Sequence, residues 1–185
     1  MSFEKNPVRV LDKAIRKANM LIRKRAQEDA AYNGMGTTMV IATCIGRYLE
    51  VANVGDSRLY VVNDRMKQIT QDHSLVEEMV RMGGIDRALA KNHPDKNIIT
   101  RAIGARDYID ADFFTLELQA GDMVLLCSDG LTNMIDDEAI RRILTGGGSL
   151  KDRVEKLVEA ANQNGGKDNI SAIVIEPLAD EVEHD

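Results

Sequence analysis

The sequence holds few of the residues that build soft-metal sites and cross-links, with two cysteines and three histidines among 185 residues. Cys44 and Cys127 make no Cys-x-x-Cys pair and both lie in apolar, strand-like runs, which predicts buried free thiols in a reducing compartment. Long hydrophobic runs are missing: no stretch is long enough to span a bilayer, and the amino terminus is polar rather than signal-like, so a cytoplasmic protein without membrane contact is expected. Basic residues are outnumbered, 24 against 30 acidic, and the resulting charge of −6 argues against general affinity for nucleic acid or anionic membranes. The sequence contains no internal repeat, no G-x-x-x-x-G-K-[ST] and no G-x-G-x-x-G opening a helix, so it offers no nucleotide cradle.

What is present suits one globular domain over residues 1–180, followed by an acidic tail at 181–185. Residues 8 to about 30 place Leu11, Ile15, Ala18 and Ile22 on one helical face, with a basic, solvated remainder. After Asn33-Gly34-Met35-Gly36, the segments 37–45, 48–54, 58–62 and 67–69 have strand character and short turns between them, which predicts an antiparallel meander. From His73 to about Asn97 come short helical pieces, polar loops and Gly83-Gly84, the pattern of an inserted excursion, before Ile98-Ile99 resumes an apolar run. Strands follow at 112–118 and 122–127, then a helix from near Asp136 to Gly146. A second helix opens on the Ser149-x-x-Asp152 signature, with Leu150, Val154, Leu157, Val158 and Ala161 inward, and the last strand is 170–175. Strands in blocks rather than strict alternation indicate an α+β layered architecture.

Three aspartates sit beside glycine or asparagine next to apolar runs: Gly55-Asp56-Ser57-Arg58, Ser128-Asp129-Gly130-Leu131 and Gly166-Lys167-Asp168-Asn169. Carboxylates at strand margins suit Mg²⁺ or Mn²⁺, which take oxygen ligands, whereas zinc or copper draws on His and Cys. Each aspartate alone reads as turn chemistry, as Asp64 does, but their shared placement does not. Asp129 closes an apolar strand, and Gly130 behind it lets backbone approach closely. Cys127 has no arginine just downstream to form a phosphate-binding loop, and Ser128 has no identifiable His base, so neither reads as a nucleophile. From their surroundings alone His73 and His93 are structural or solvent-exposed.

In combination, Gly36-Thr37-Thr38, Val54-Gly55-Asp56-Ser57-Arg58, Thr70-Gln71-Asp72-His73-Ser74, Thr100-Arg101-Ala102-Ile103-Gly104, Leu125-Leu126-Cys127-Ser128-Asp129-Gly130-Leu131 and Gly166-Lys167-Asp168-Asn169-Ile170-Ser171 resemble, in order and spacing, the type 2C metal-dependent serine/threonine phosphatases. The stretch from Ala90-Lys91-Asn92-His93-Pro94 to Thr100-Arg101 resembles the bacterial branch. The resemblance implies an antiparallel β-sandwich flanked by α-helices and hydrolysis of phosphoserine and phosphothreonine by metal-activated water. It implies two Mn²⁺ or Mg²⁺ ions on Asp129 and Asp168, and a third ion at Asp56. Ser128, Gly130 and Asn169 would support these ligands. Residues 73–97, with His73, Ser74 and Arg101 at their base, would correspond to the flap beside the active site. Phosphorylated proteins and a cognate Ser/Thr kinase would be the partners. Nothing in residues 1–35 matches the family's opening segment, with its phosphate-binding Arg and its Asp-Gly-Met-Gly-Gly-His-like stretch. The expectation is therefore a family member without that segment, and its alternative is a non-catalytic interaction module.

Overall fold

Asn6 caps the first helix, α1 (Pro7–Glu28), by accepting the Arg9 N–H at 2.9 Å, and Pro7 sits in the first turn, where its missing N–H loses no bond. The structure is a computed structural model that describes residues 6–177; the acidic tail 181–185 lies outside them. The chain divides into two units. One comprises Met1–Thr43, Glu50–Asp56 and Gln71–Phe114, and the other Cys44–Leu49, Ser57–Thr70 and Thr115–Asp185.

In the first unit α1 buries Leu11 and Ile15 against Ala52 and Val54 of β2 (Tyr48–Val54), with Ala18 and Ile22 partly covered on the same face. Met39 and Ile41 of β1 (Met39–Ile45) and Phe113 of β5 (Asp112–Glu117) join that cluster, and the three strands form a sheet in the order β1-β2-β5. One position on the helix face is polar. Asn19 is 2% exposed, accepts the Gly104 N–H at 2.7 Å and donates to the Arg106 carbonyl at 2.9 Å, so its burial is satisfied on both sides. The excursion carries α2 (Leu75–Arg81) and α3 (Arg87–Ala90). Its base is closed by Leu75 N–H to Ile98 O at 2.9 Å and Thr100 N–H to His73 O at 2.8 Å.

The second unit is built on an antiparallel sheet in the order β4 (Met66–Gln68), β3 (Arg58–Val62), β6 (Met123–Cys127) and β7 (Ala172–Ile175). Tyr60 lies opposite Leu125, which lies opposite Val174. The two-residue period of a strand then puts Tyr60, Val62, Met123, Leu125 and Cys127 on one face. That face is covered by Leu131 of α4 (Asp129–Thr132), Ile140 and Leu144 of α5 (Asp137–Thr145), and Leu157 and Ala161 of α6 (Leu150–Gln163). The helices start where their caps dictate. Asp136 accepts the Ala139 N–H at 2.8 Å, and Ser149 and Asp152 form the reciprocal capping box expected of their spacing.

The α+β class and the antiparallel sheets flanked by helices agree with the expectation. The meander does not: β1 with β2 and β3 with β4 are neighbours, but β2 and β3 belong to different sheets. Leu59, Tyr60 and Val62 are each 0% exposed, and β3 reaches that burial as an inner strand between β4 and β6, while β2 is the inner strand of the other sheet, between β1 and β5. Cys44 is exposed, on a strand whose residues are only partly buried, so only Cys127 is the buried thiol expected of both. Ile98 and Ile99 form no strand. They are 49% and 38% exposed, and Ile99 makes only an isolated bridge to Ser74.

Candidate active site

The second unit brings the Asp129 and Asp168 loops together. Strand β6 ends at Cys127, and the chain turns at Ser128 directly into the single helical turn α4 that Asp129 opens. Ser128 is the fastener. Its N–H donates to the Ser171 carbonyl and its Oγ accepts the Ser171 N–H, both at 3.0 Å, while the hydroxyl donates to the Asn169 carbonyl at 3.1 Å. Gly130 permits the approach. A Cβ there would overlap the Asn169 carbonyl oxygen and lie 3.0 Å from its carbonyl carbon. The two carboxylates are themselves held: Asn133 Nδ2 donates to Asp129 Oδ2 at 3.0 Å, and the Asn169 N–H donates to Asp168 Oδ1 at 2.7 Å. Asp168 and Asn169 are exposed, and Asp129 is half-buried.

In the first unit Asp56 follows Gly55, the turn residue after β2. Gly55 has φ +109°, and a Cβ on it would lie 2.6 Å from Thr38 Cβ, so only glycine fits. Both backbone groups of Gly55 are bound by one residue: its N–H donates to His73 Nδ1 at 3.1 Å, and its carbonyl accepts the His73 N–H at 2.9 Å. Asn53, 0% exposed, adds a donor to that carbonyl at 3.2 Å and another to the Gln71 carbonyl at 3.0 Å.

His73 is 5% exposed. Because an amide can only donate, Nδ1 is the unprotonated nitrogen, and the ring proton sits on Nε2, 3.1 Å from Asp112 Oδ2. Arg101 Nη1 donates to the other Asp112 oxygen at 2.8 Å. Partial burial pushes the Asp112 carboxyl up, but hydrogen bonds from His73 and then Arg101 outweigh it, and the group is held below the usual carboxylate range. Ser74 caps α2 by accepting the Glu77 N–H at 3.2 Å. His73, Ser74 and Arg101, expected at the base of a flap, thus sit at the base of the excursion and are engaged in internal bonds.

The donors fit a hard divalent cation in kind, since all are carboxylates. They do not fit one in number: among the described residues no three His, Cys, Asp or Glu side chains are grouped so as to hold a metal ion.

The sequence family Protein phosphatase 2C matches residues 1–170. The chain belongs to the protein phosphatase 2C family. It is 42% identical over 167 residues to the serine/threonine phosphatase stp of Listeria innocua, which covers 90% of this chain and 66% of that protein. It is 45% identical over 149 residues to the protein phosphatase PhpP of Streptococcus pneumoniae, covering 80% of this chain and 61% of the relative. The crystal structure of serine/threonine phosphatase Stp1 from Staphylococcus aureus superposes with a TM-score of 0.89 at 38% identity, over 94% of this chain and 68% of that one. That of PstP/Ppp from Mycobacterium tuberculosis gives 0.84 at 34% identity, over 89% and 69%. The chain therefore spans less than two thirds of the length of the curated relatives it matches.

The candidate site residues of this type 2C family member divide by legibility. The three aspartates and the Ser128-Asp129-Gly130 turn could be read from glycine placement at strand ends. Asn133 and Asp112 are not singled out by the sequence, and Ser171 enters only as the end of the Gly166-Lys167-Asp168-Asn169-Ile170-Ser171 motif. Asn133 stands four residues after Asp129, the spacing at which helical side chains meet, and that was the available signal. Asp112 carried none, because its partners lie far away in sequence. The described residues contain no helix long and apolar enough to cross a membrane.

Proposed function

We propose that this chain acts as a bacterial type 2C protein phosphatase that hydrolyses phosphoserine and phosphothreonine and opposes a cognate Ser/Thr kinase. The observation that carries the proposal is the Ser128 fastening, which sets the Asp129 and Asp168-Asn169 loops side by side in one unit. Asp129 and Asp168 are the residues that would face Mn²⁺ or Mg²⁺, with Asp56 as ligand to a further ion. When bound, such ions supply charge neutralisation at the phosphoryl group and an activated water. The chain's own residues do the positioning. Asn133 fixes one Asp129 oxygen, the Asn169 N–H fixes one Asp168 oxygen, and Gly130 keeps the loops in contact. Further donors have to join them, because the described residues gather no group of three.

The test is Mn²⁺-dependent release of phosphate from a phosphothreonine peptide by the 185-residue chain, and by the same chain extended with the family's opening segment. Activity in either form that disappears with Asp129→Asn supports the proposal. Absence of activity in both, with the fold intact, refutes it. That result would favour the interaction-module alternative.

A further inference from the structure

We infer that His73 is a positioning residue, whose ring and backbone together hold the Gly55-Asp56 turn and so set the Asp56 carboxylate. Gly55 leaves β2 in the left-handed region, where a turn has no ladder partner to fix it. Here His73 binds both of its backbone groups, the N–H to Nδ1 at 3.1 Å and the carbonyl from the His73 N–H at 2.9 Å, with Asn53 Nδ2 a second donor to that carbonyl at 3.2 Å. One residue at 5% exposure therefore grips the peptide on either side of Gly55, and the next residue is Asp56. The grip depends on ring orientation. Only the tautomer with the proton on Nε2 can accept the Gly55 N–H, and Asp112, anchored by Arg101 at 2.8 Å, selects that tautomer at 3.1 Å. Arg101 Nη1 also stands 3.1 Å from Nε2 itself, so Arg101 and Asp112 together back the His73 ring that holds Gly55, all within the first unit.

His73 also sits where the excursion begins, so a purely local role in closing residues 74–99 is the competing account. The chemistry of amide side chains separates the two. Asparagine places a carbonyl oxygen near the Nδ1 position and can still accept the Gly55 N–H, but it does not reach Asp112. Glutamine places an N–H near the Nε2 position and can still reach Asp112, but it leaves Gly55 without an acceptor.

The experiment is amide hydrogen exchange on the full chain for the parent, His73→Asn and His73→Gln, read at Gly55 and Asp56 and compared with Leu75 and Thr100 at the excursion base. The expected result is near-parental protection of Gly55 in His73→Asn and roughly tenfold faster exchange in His73→Gln, with Leu75 and Thr100 alike in both. Equal protection of Gly55 in the two variants, or loss confined to Leu75 and Thr100, would overturn the inference. If His73→Gln does not fold, Asp112→Ala substitutes for it. That variant removes the acceptor of the Nε2 proton and leaves Arg101, 3.1 Å away, beside the ring, without touching Gly55, and it should speed Gly55 exchange; a change confined to residues near 112 would overturn the inference.

The importance of Asp56 rests on the proposed function and is tested separately by Asp56→Asn. If that variant keeps full Mn²⁺-dependent activity while the exchange pattern holds, His73 positions the turn and the metal role of Asp56 falls. If Asp56→Asn loses activity, peptide hydrolysis should be retained by the single variant His73→Asn and reduced in His73→Gln.

Discussion

Replacing Gly130 with alanine is the sharpest perturbation of the candidate site that leaves every acidic group in place. The new Cβ would overlap the Asn169 carbonyl oxygen and stand 3.0 Å from its carbonyl carbon, with the Asp168 carbonyl carbon at 3.6 Å. The obstacle is backbone, so no side chain can swing aside, and residues 168–169 must retreat. Overpacking of this kind costs about 1–3 kcal/mol. The retreat also stretches the 3.1 Å bond from Ser128 Oγ to the Asn169 carbonyl, worth about 1 kcal/mol. Against this stands the better helix propensity of alanine in α4, up to ~1 kcal/mol. The balance is a net loss of about 1–3 kcal/mol, or roughly 2–4 °C in Tm for each kcal/mol in a chain of this size. Urea titration and a thermal melt measure it. Faster exchange of the Ser171 amide, which donates to Ser128 Oγ at 3.0 Å, should accompany it. If Gly130→Ala is as stable as the parent, or more so, with Ser171 still protected, then the close approach of the two loops does not hold the site together.

Three further outcomes are expected. Leu157→Ala removes a side chain that is 0% exposed in the core beneath α6, and it should lower stability by about 2–5 kcal/mol in denaturant titration. Asn19→Ala strands the Gly104 N–H and the Arg106 carbonyl, and it should cost about 1–3 kcal/mol despite alanine's better helix propensity, whereas a surface change such as Lys13→Ala should cost little. Asp112 is held below its usual value in the fold, so its contribution is complete above the unfolded value of 3.8 and is lost as pH falls through the folded one. Asp112→Asn should accordingly be less stable than the parent at neutral pH, and its stability should fall less steeply on acidification below about pH 4, as followed by urea midpoints across pH.

The elements of this fold are legible in the sequence because most of them advertise themselves locally. The 3.6-residue spacing of Leu11, Ile15, Ala18 and Ile22 marks α1, and Ser149 with Asp152 marks the start of α6. What is not local is not legible. The continuous apolar run Leu59-Tyr60-Val61-Val62 in β3 shows that both its faces are buried but not that β6 is its neighbour, since pairing is decided by which distant strand can match it. Burial of Asn19 on an apolar helix face is invisible until the Gly104 N–H and the Arg106 carbonyl are seen to satisfy it. The candidate site divides likewise. Glycines at 55 and 130 point to close approach, while the bonds that use it, to His73 and to Asn169, join residues 18 and 39 or more positions away in the chain.

The chain crosses between its two units at 43/44, 49/50, 56/57, 70/71 and 114/115, so neither unit is a continuous stretch of sequence. During synthesis the first unit has all its segments only once Phe114 has emerged, and the second only with β7, which ends at Ile175. Until then β6 has one of its two strand partners, and the backbone N–H and C=O groups of its other edge stay unpaired. Such non-local pairing slows folding and prolongs the exposure of unpaired strands. A ribosome stalled before residue 172 should therefore hold a chain that depends on chaperones, and release of the last few strand residues should be the step that frees it.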